Sequence, residues 1–287
     1  MSQPPVYVCK LSVEEKKFAA VNLNETDAVR ELKIEEIRQW ILRNKDLCAR
    51  TDDFFILRFL RGCKFDVEKT KKKFCNYHEL RARSPEWYSY RDPFLPELLE
   101  LFDLGVFLPL RKVDSEGRMV ILIRVAVHDP IKHKQANVFK AGKMILDVAI
   151  KQNEMVSLHG VKVVFDLNGV TLNHALQMPP SVVKRLVHSW QGCYPMRIQS
   201  MDFVNAPIYV NVVLNVFKQF MSHKLRKRIH IHNQGIKAIH KIVPTNILPI
   251  EYGGTDGTLQ DLKEYWTHVV QDNQDWFAED EKYKMIL

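Results

Sequence analysis

Beyond residue 96 the chain alternates short runs rich in β-branched residues with longer stretches of helical periodicity, and this alternation constrains the fold most. The runs fall at residues 119–127, 161–167, 198–204 and 228–232. Between them lie helical patterns at 137–155, 180–190 and 208–221. Connections of that length suit crossovers between parallel strands rather than hairpins. The pattern predicts an α/β domain in which helices cover a sheet.

The first ninety residues carry no strand signal. Val29, Leu32, Ile37, Trp40 and Ile41 recur at three-to-four spacing, and Phe55, Phe59 and Leu60 continue the theme. Asp66 is placed to cap a further helix whose inner face carries Val67, Phe74 and Tyr77, with Lys69 and Lys71 to Lys73 elsewhere. Three prolines within residues 84–96 mark a connecting segment. The expected organisation is a helical domain over 1–92, an α/β domain over 93–260, and a C-terminal helix with a frayed end over 261–287.

Composition narrows the function. With 287 residues and 46% hydrophobic content, the chain can build a sizeable core without disulfides or metals. Five cysteines, none in a Cys-x-x-Cys pair, indicate neither a disulfide framework nor a zinc ribbon and fit reduced thiols in the cytosol. The start lacks the pattern of a secretory signal. The most apolar stretch, 203–221, is interrupted by Asn205, Pro207, Asn211, Asn215, Lys218 and Gln219 and falls short of a membrane span. No dinucleotide, phosphate-loop, nucleophile-elbow or zinc-protease signature is present, so neither an enzyme nor a cofactor is supported. His230 and His232 share one face of a strand but have no third ligand, and they read as surface residues rather than a metal site. The formal charge of +8 favours a polyanionic partner. Nucleic acid is disfavoured by the lack of an aromatic stacking platform or a reader module.

The unusual element is residues 208–221, where apolar side chains surround nearly the whole helix. A surface helix shows one apolar stripe. Either this helix is buried on all sides, or one face packs on the protein while the other meets a cavity or lipid. Its neighbours carry a resemblance. Phe59-Leu60-Arg61 and Lys64-Phe65-Asp66 precede Phe165-Asp166-Leu167-Asn168-Gly169 and Tyr194-Pro195-Met196-Arg197. Asn205-Ala206-Pro207, then Lys224 through Ile229, then Leu248 through Gly254 complete the series. In this order and spacing, over about residues 28–270, the chain resembles the CRAL-TRIO family and its tocopherol-transfer and retinaldehyde-binding branch.

The resemblance implies a helical N-terminal domain, a mixed five-stranded floor, and a mobile helical gate at 205–221 over a lipid cavity. It implies a gate apolar on both sides, which explains the missing polar face, and a hinge at Asn205-Ala206-Pro207 with the helix capped at Asn205 or Ala206. The cavity is expected to be lined by Phe139, Leu146, Val163, Phe165, Leu186, Trp190, Tyr194, Ile208, Val212 and Phe217. A phosphoinositide headgroup is expected at Arg61, Arg197, Lys224 and Arg228, the last two on one helical face if the helix extends that far. Gln199 replaces a basic residue common in the tocopherol-transfer branch, and Val170 replaces a tryptophan. The expectation is a monomeric, non-catalytic, cytoplasmic carrier of one retinoid, carotenoid, tocopherol or similar lipid that unloads at anionic membranes. The alternatives are a phosphoinositide-anchored adaptor or a phospholipid-exchange protein.

Overall fold

The computed structural model describes residues 6–232 and 235–287. Helices α1 (Val13–Leu23), α2 (Asp27–Arg43), α3 (Asp53–Gly62) and α4 (Val67–Arg83) form the N-terminal part. Each starts on a side-chain cap, from Ser12, Thr26, Asp52 and Asp66 respectively, that accepts a first-turn N–H. Phe55, Phe59, Phe74 and Tyr77 pack ring against ring between α3 and α4 and account for the apolar faces seen in the sequence. Short α5 (Pro85–Tyr88) and α6 (Pro96–Leu104), each with proline in its first turn, lead into the sheet.

The sheet has five strands in the order β1-β2-β3-β4-β5. These are β1 (Phe107–Val113), β2 (Met119–Arg124), β3 (Val161–Asp166), β4 (Ile198–Val204) and β5 (Ile229–His232). β1 is antiparallel to β2, and the other pairs are parallel. α7 (Gln135–Gln152) and α8 (Glu154–His159) connect β2 to β3; α9 (Leu172–Leu176) and α10 (Pro180–His188) connect β3 to β4. α11 (Val210–Phe220) and α12 (His223–Arg226) connect β4 to β5. The mixed sheet and the helical N-terminal part agree with the expected fold. β1 is a strand that the sequence pattern does not predict, and β2 ends at Arg124 because the chain turns through a single 3-10 turn at Val125–Val127.

Beyond β5 come α13 (Ile236–Ile242), α14 (Leu259–Gln271) and α15 (Gln274–Asp280). The tail therefore carries two helices rather than one, and its end is tied down. Met285 bridges to Leu47, and the Ile286 N–H donates to the Asp46 carbonyl at 2.8 Å. Nor is the tail a separate unit: the Trp266 indole N–H donates to the Pro109 carbonyl at 2.6 Å, and Asp280 pairs with Arg81 and Arg91. One hydrophobic core runs through α2, α3, α4, the sheet and α14 and α15, and a small second cluster seats Ala19 and Leu23 of α1 against Leu158. Gly62 and Gly160 permit the close approaches that lock it. A Cβ at Gly62 would sit 3.3 Å from the Pro195 backbone, and one at Gly160 only 2.3 Å from the Arg197 carbonyl oxygen.

Candidate functional site

Strand periodicity sends every second residue to one face of the sheet, and Ile123, Phe165 and Phe203 share that face. Phe165 and Phe203 stack with centroids 4.6 Å apart and form a flat aromatic floor. Over it, α7, α9, α10 and α11 enclose a cavity of about 240 Å³ whose lining is predominantly apolar. α7 contributes Gln135, Val138, Phe139, Gly142, Lys143 and Leu146, the spacing of a single helical face. A single π-helical turn at Ser189–Cys193 follows α10, and Ser189 and Trp190 from it reach the cavity wall. The Trp190 ring stacks on Phe217 of α11 at 6.1 Å and lies 6.3 Å from Phe165, so it joins the roof to the floor.

α11 is fastened at both ends. The Tyr209 hydroxyl donates to the Val170 carbonyl at 2.7 Å. Past its other end, Gln191 donates to the Phe220 carbonyl at 3.0 Å and accepts from the Ser222 N–H at 2.9 Å. Asn205, in a left-handed conformation at φ 53°, donates to Asp166, which also accepts from the Tyr252 hydroxyl at 2.6 Å. The helix begins at Val210 with Tyr209 at the cap position, not at Asn205 or Ala206, because 205–209 is spent on this bend.

Six of the ten expected lining residues meet at the cavity: Phe139, Leu146, Phe165, Leu186, Trp190 and Phe217. Four do not. Val163 has the parity of Phe165 but sits in the packed core, because the cavity lies over the C-terminal halves of the strands. Tyr194 comes after the π-turn and is buried against Tyr77, ring edge to ring face at 5.6 Å. Ile208 and Val212 are 99% and 69% exposed, because the inward face of α11 is carried by Val210, Val213, Leu214 and Phe217. The outer side of this segment thus carries exposed apolar residues, but fewer than the sequence pattern suggests. Ile131, Leu172 and Leu176 are also exposed, the last two on α9, whose His174 and Ala175 line the cavity.

The cavity also has polar lining that the sequence pattern does not predict. His128 and Gln177 form a hydrogen bond at 3.1 Å, and His174 binds the His128 carbonyl, also at 3.1 Å. Lys143 and Ser189 form a second polar position, 3.1 Å apart. Burial pushes the Lys143 ammonium down to about 8, with Asp147 pulling the other way. The signal for Lys143 was available, since it lies four residues after Phe139 and three before Leu146 on the same inward face.

The expected headgroup cations divide. Arg61 is fully buried, donating to Glu25 at 2.7 and 2.8 Å and to Glu154 at 2.7 Å; its charge is consumed inside the N-terminal interface, so it presents nothing to a ligand. Arg197 is partly buried, with its guanidinium donating to the carbonyls of Arg61, Ser157 and Leu158. Burial lowers it to about 10, and the charges of Arg61 and Arg228 add to the effect. Arg228 donates to the Ile198 carbonyl. Lys224 is exposed and is lowered by desolvation and by Arg228, Lys64 and Arg197. Lys224 and Arg228 do not share a helical face, because α12 ends at Arg226. Gln199 donates to the His159 carbonyl at 2.9 Å. Among the described residues no group of potential metal ligands is present, and His232 instead contacts Asp202 at 2.9 Å.

The comparisons agree with this architecture. The family model for the CRAL/TRIO domain matches residues 105–254, which contain the whole sheet and the cavity. The chain belongs to the CRAL/TRIO family. A Pinta-like UBA domain model matches residues 26–98 in the helical part. Among relatives, the alpha-tocopherol transfer protein-like protein of Homo sapiens is 29% identical over 279 residues, 97% of this chain and 80% of that protein. Clavesin-2 of Rattus norvegicus is 28% identical over 245 residues, 85% of this chain and 75% of its own length. The crystal structure of Sfh5 superposes with a TM-score of 0.55 at 16% identity, covering 92% of this chain and 99% of that one, and supports the fold alone. No helix of the described residues in this CRAL/TRIO protein is long and apolar enough to cross a membrane.

Proposed function

We propose that this protein is a non-catalytic lipid carrier that holds one hydrophobic molecule beneath α11 and releases it at an anionic membrane. The cavity between the aromatic floor and α11 is the observation that carries the reading. Transfer of a dozen methylenes out of water contributes on the order of 10 kcal/mol before ordering costs. Such a guest is held tightly by a dry cavity, and release into water is correspondingly slow. A membrane contact that swings α11 away removes that obstacle, and exposed Ile208 and Val212 at this helix, with Leu172 and Leu176 on α9, supply apolar surface suited to entering a bilayer.

The basic residues near the far end of α11 supply the electrostatic part. Desolvation lowers Arg197, Lys224 and Arg228, and like charge adds to it at two of them: Arg61 and Arg228 act on Arg197, and Arg228, Lys64 and Arg197 act on Lys224. A phosphorylated headgroup relieves that repulsion. The likeness to tocopherol-transfer and clavesin relatives supports the same reading. Organic extraction of the purified protein is expected to yield one dominant hydrophobic compound. Transfer between vesicles is expected to rise when the acceptor contains a phosphoinositide, and Lys224→Glu with Arg228→Glu to remove that rise. A protein that carries nothing and binds no member of a lipid panel would sink the proposal.

A further inference from the structure

Lys143 is an unusual residue for the wall of an apolar cavity. It is 6% exposed, and its Nζ lies 5.1, 5.2 and 5.0 Å from the ring centroids of Trp87, Tyr88 and Tyr194. The Ser189 hydroxyl, 3.1 Å away, is its hydrogen-bond partner. Three ring faces stabilise an ammonium through their quadrupoles, but they do not neutralise it. Among the described residues no carboxylate stands within ion-pairing distance of it. Asp147, one turn further along α7, is committed to Arg91 at 2.9 Å, and Asp280 is shared by Arg50, Arg81 and Arg91. Arg58, also buried, adds a further cation to this interior. Of these buried cations only Lys143 lines the cavity, and it does so without a paired carboxylate, an arrangement that is costly unless an anion completes it.

The cavity is the place where that anion can enter, since Lys143 and Ser189 both belong to its wall. Eight residues of helix, about 12 Å, separate Lys143 from Gln135, whose amide meets the Met178 sulfur at the other end of the lining face of α7, and Val138, Phe139 and Gly142 between them leave an apolar run. We propose that Lys143 and Ser189 form a headgroup subsite and that the lipid carried here has an ionised carboxylate. The ammonium donates to it, and the Ser189 hydroxyl turns to donate as well. Neutral heads such as an alcohol or an ester leave the ammonium without its counter-charge. This inference rests on the carrier reading above and adds the chemical class of the cargo.

Two series that share a chain and differ only in the head test it: oleic acid, methyl oleate and oleyl alcohol, and all-trans-retinoic acid, its methyl ester and retinol. Binding to the full chain is measured by titration at pH 7. In at least one series the acid is expected to bind at least tenfold tighter than its methyl ester, the size of a charge-assisted hydrogen bond, and that series identifies the chain type. Lys143→Met is expected to collapse the acid-to-ester ratio towards one, and Ser189→Ala to reduce it by a smaller factor. Acid, ester and alcohol binding within threefold of one another in both series, a comparison that needs no variant, would overturn the inference while the carrier reading stands. So would a preference that survives Lys143→Met. Failure of all six compounds to bind overturns this inference, while the carrier reading is judged separately by organic extraction and the lipid panel.

Discussion

Tyr209 spends its hydroxyl on the Val170 carbonyl across the edge of the cavity, so one hydrogen bond holds the first turn of α11 down. Tyr209→Phe keeps the ring and removes that bond. A single intramolecular hydrogen bond contributes a net ~0.5–1.5 kcal/mol, so ligand dissociation is expected to accelerate about two- to tenfold, read by stopped-flow transfer to vesicles, with unchanged secondary structure. At this scale the sequence revealed side chains whose position follows from periodicity. Phe139, Leu146 and Phe217 sit on inward helical faces, and Phe165 sits on the floor by strand alternation. It did not reveal outcomes set by a distant partner. Arg61 matched a cationic motif, yet Glu25 and Glu154, remote in the chain, claim its guanidinium. Tyr194 was lost to the cavity because Tyr77, from another element, holds its ring in the core.

Elements were legible in their interiors and less so at their ends. The apolar run of α11 was plain, but its start shifted to Val210 because Asn205 adopts a left-handed bend tied to Asp166. β1 escaped notice because Pro109 and the pair Arg111-Lys112 break the β-branched pattern that marked the other strands. α4 carries a consequence for stability. His78 is fully buried, its Nδ1 bonded to the Phe74 carbonyl at 2.8 Å, and its Nε2 has no hydrogen-bond partner. Burial pushes its pKa down to about 3 from 6.5. A group lowered on folding contributes stability that is complete above its unfolded value and lost as pH falls towards the folded one. Between pH 7 and pH 5 the protein is expected to lose about 2 kcal/mol from this residue, measured by urea unfolding. In His78→Gln most of that slope should vanish; an unchanged slope would exclude His78 as its source.

Across the whole molecule, the helical part, the sheet and the C-terminal helices share one core, cross-braced by charges that no local pattern announces. Asp280 of α15 joins Arg81 of α4 to Arg91 of the connecting segment, and Arg91 reaches on to Asp147 of α7. The guanidiniums around it hold the Asp280 carboxyl below the usual carboxylate range despite its burial. Removing one member of such a buried network leaves the others uncompensated. Asp280→Asn is therefore expected to cost about 3 kcal/mol, seen as a lower urea midpoint in a single transition, since the parts it joins belong to one core. Two separated transitions would show instead that the tail unfolds on its own. The expectation of a frayed end failed for the same reason: only the folded molecule brings Asp46 and Leu47 to the last strandlike residues.

Of the chain's five tryptophans, Trp190 alone among the described residues borders the cavity, sandwiched between the floor and Phe217. Its indole emission therefore reports both events of interest. A polyene guest quenches it by energy transfer, and withdrawal of α11 exposes it to water and shifts its spectrum to the red. Loading and opening can be followed in the unlabelled protein, in real time, with no dye attached.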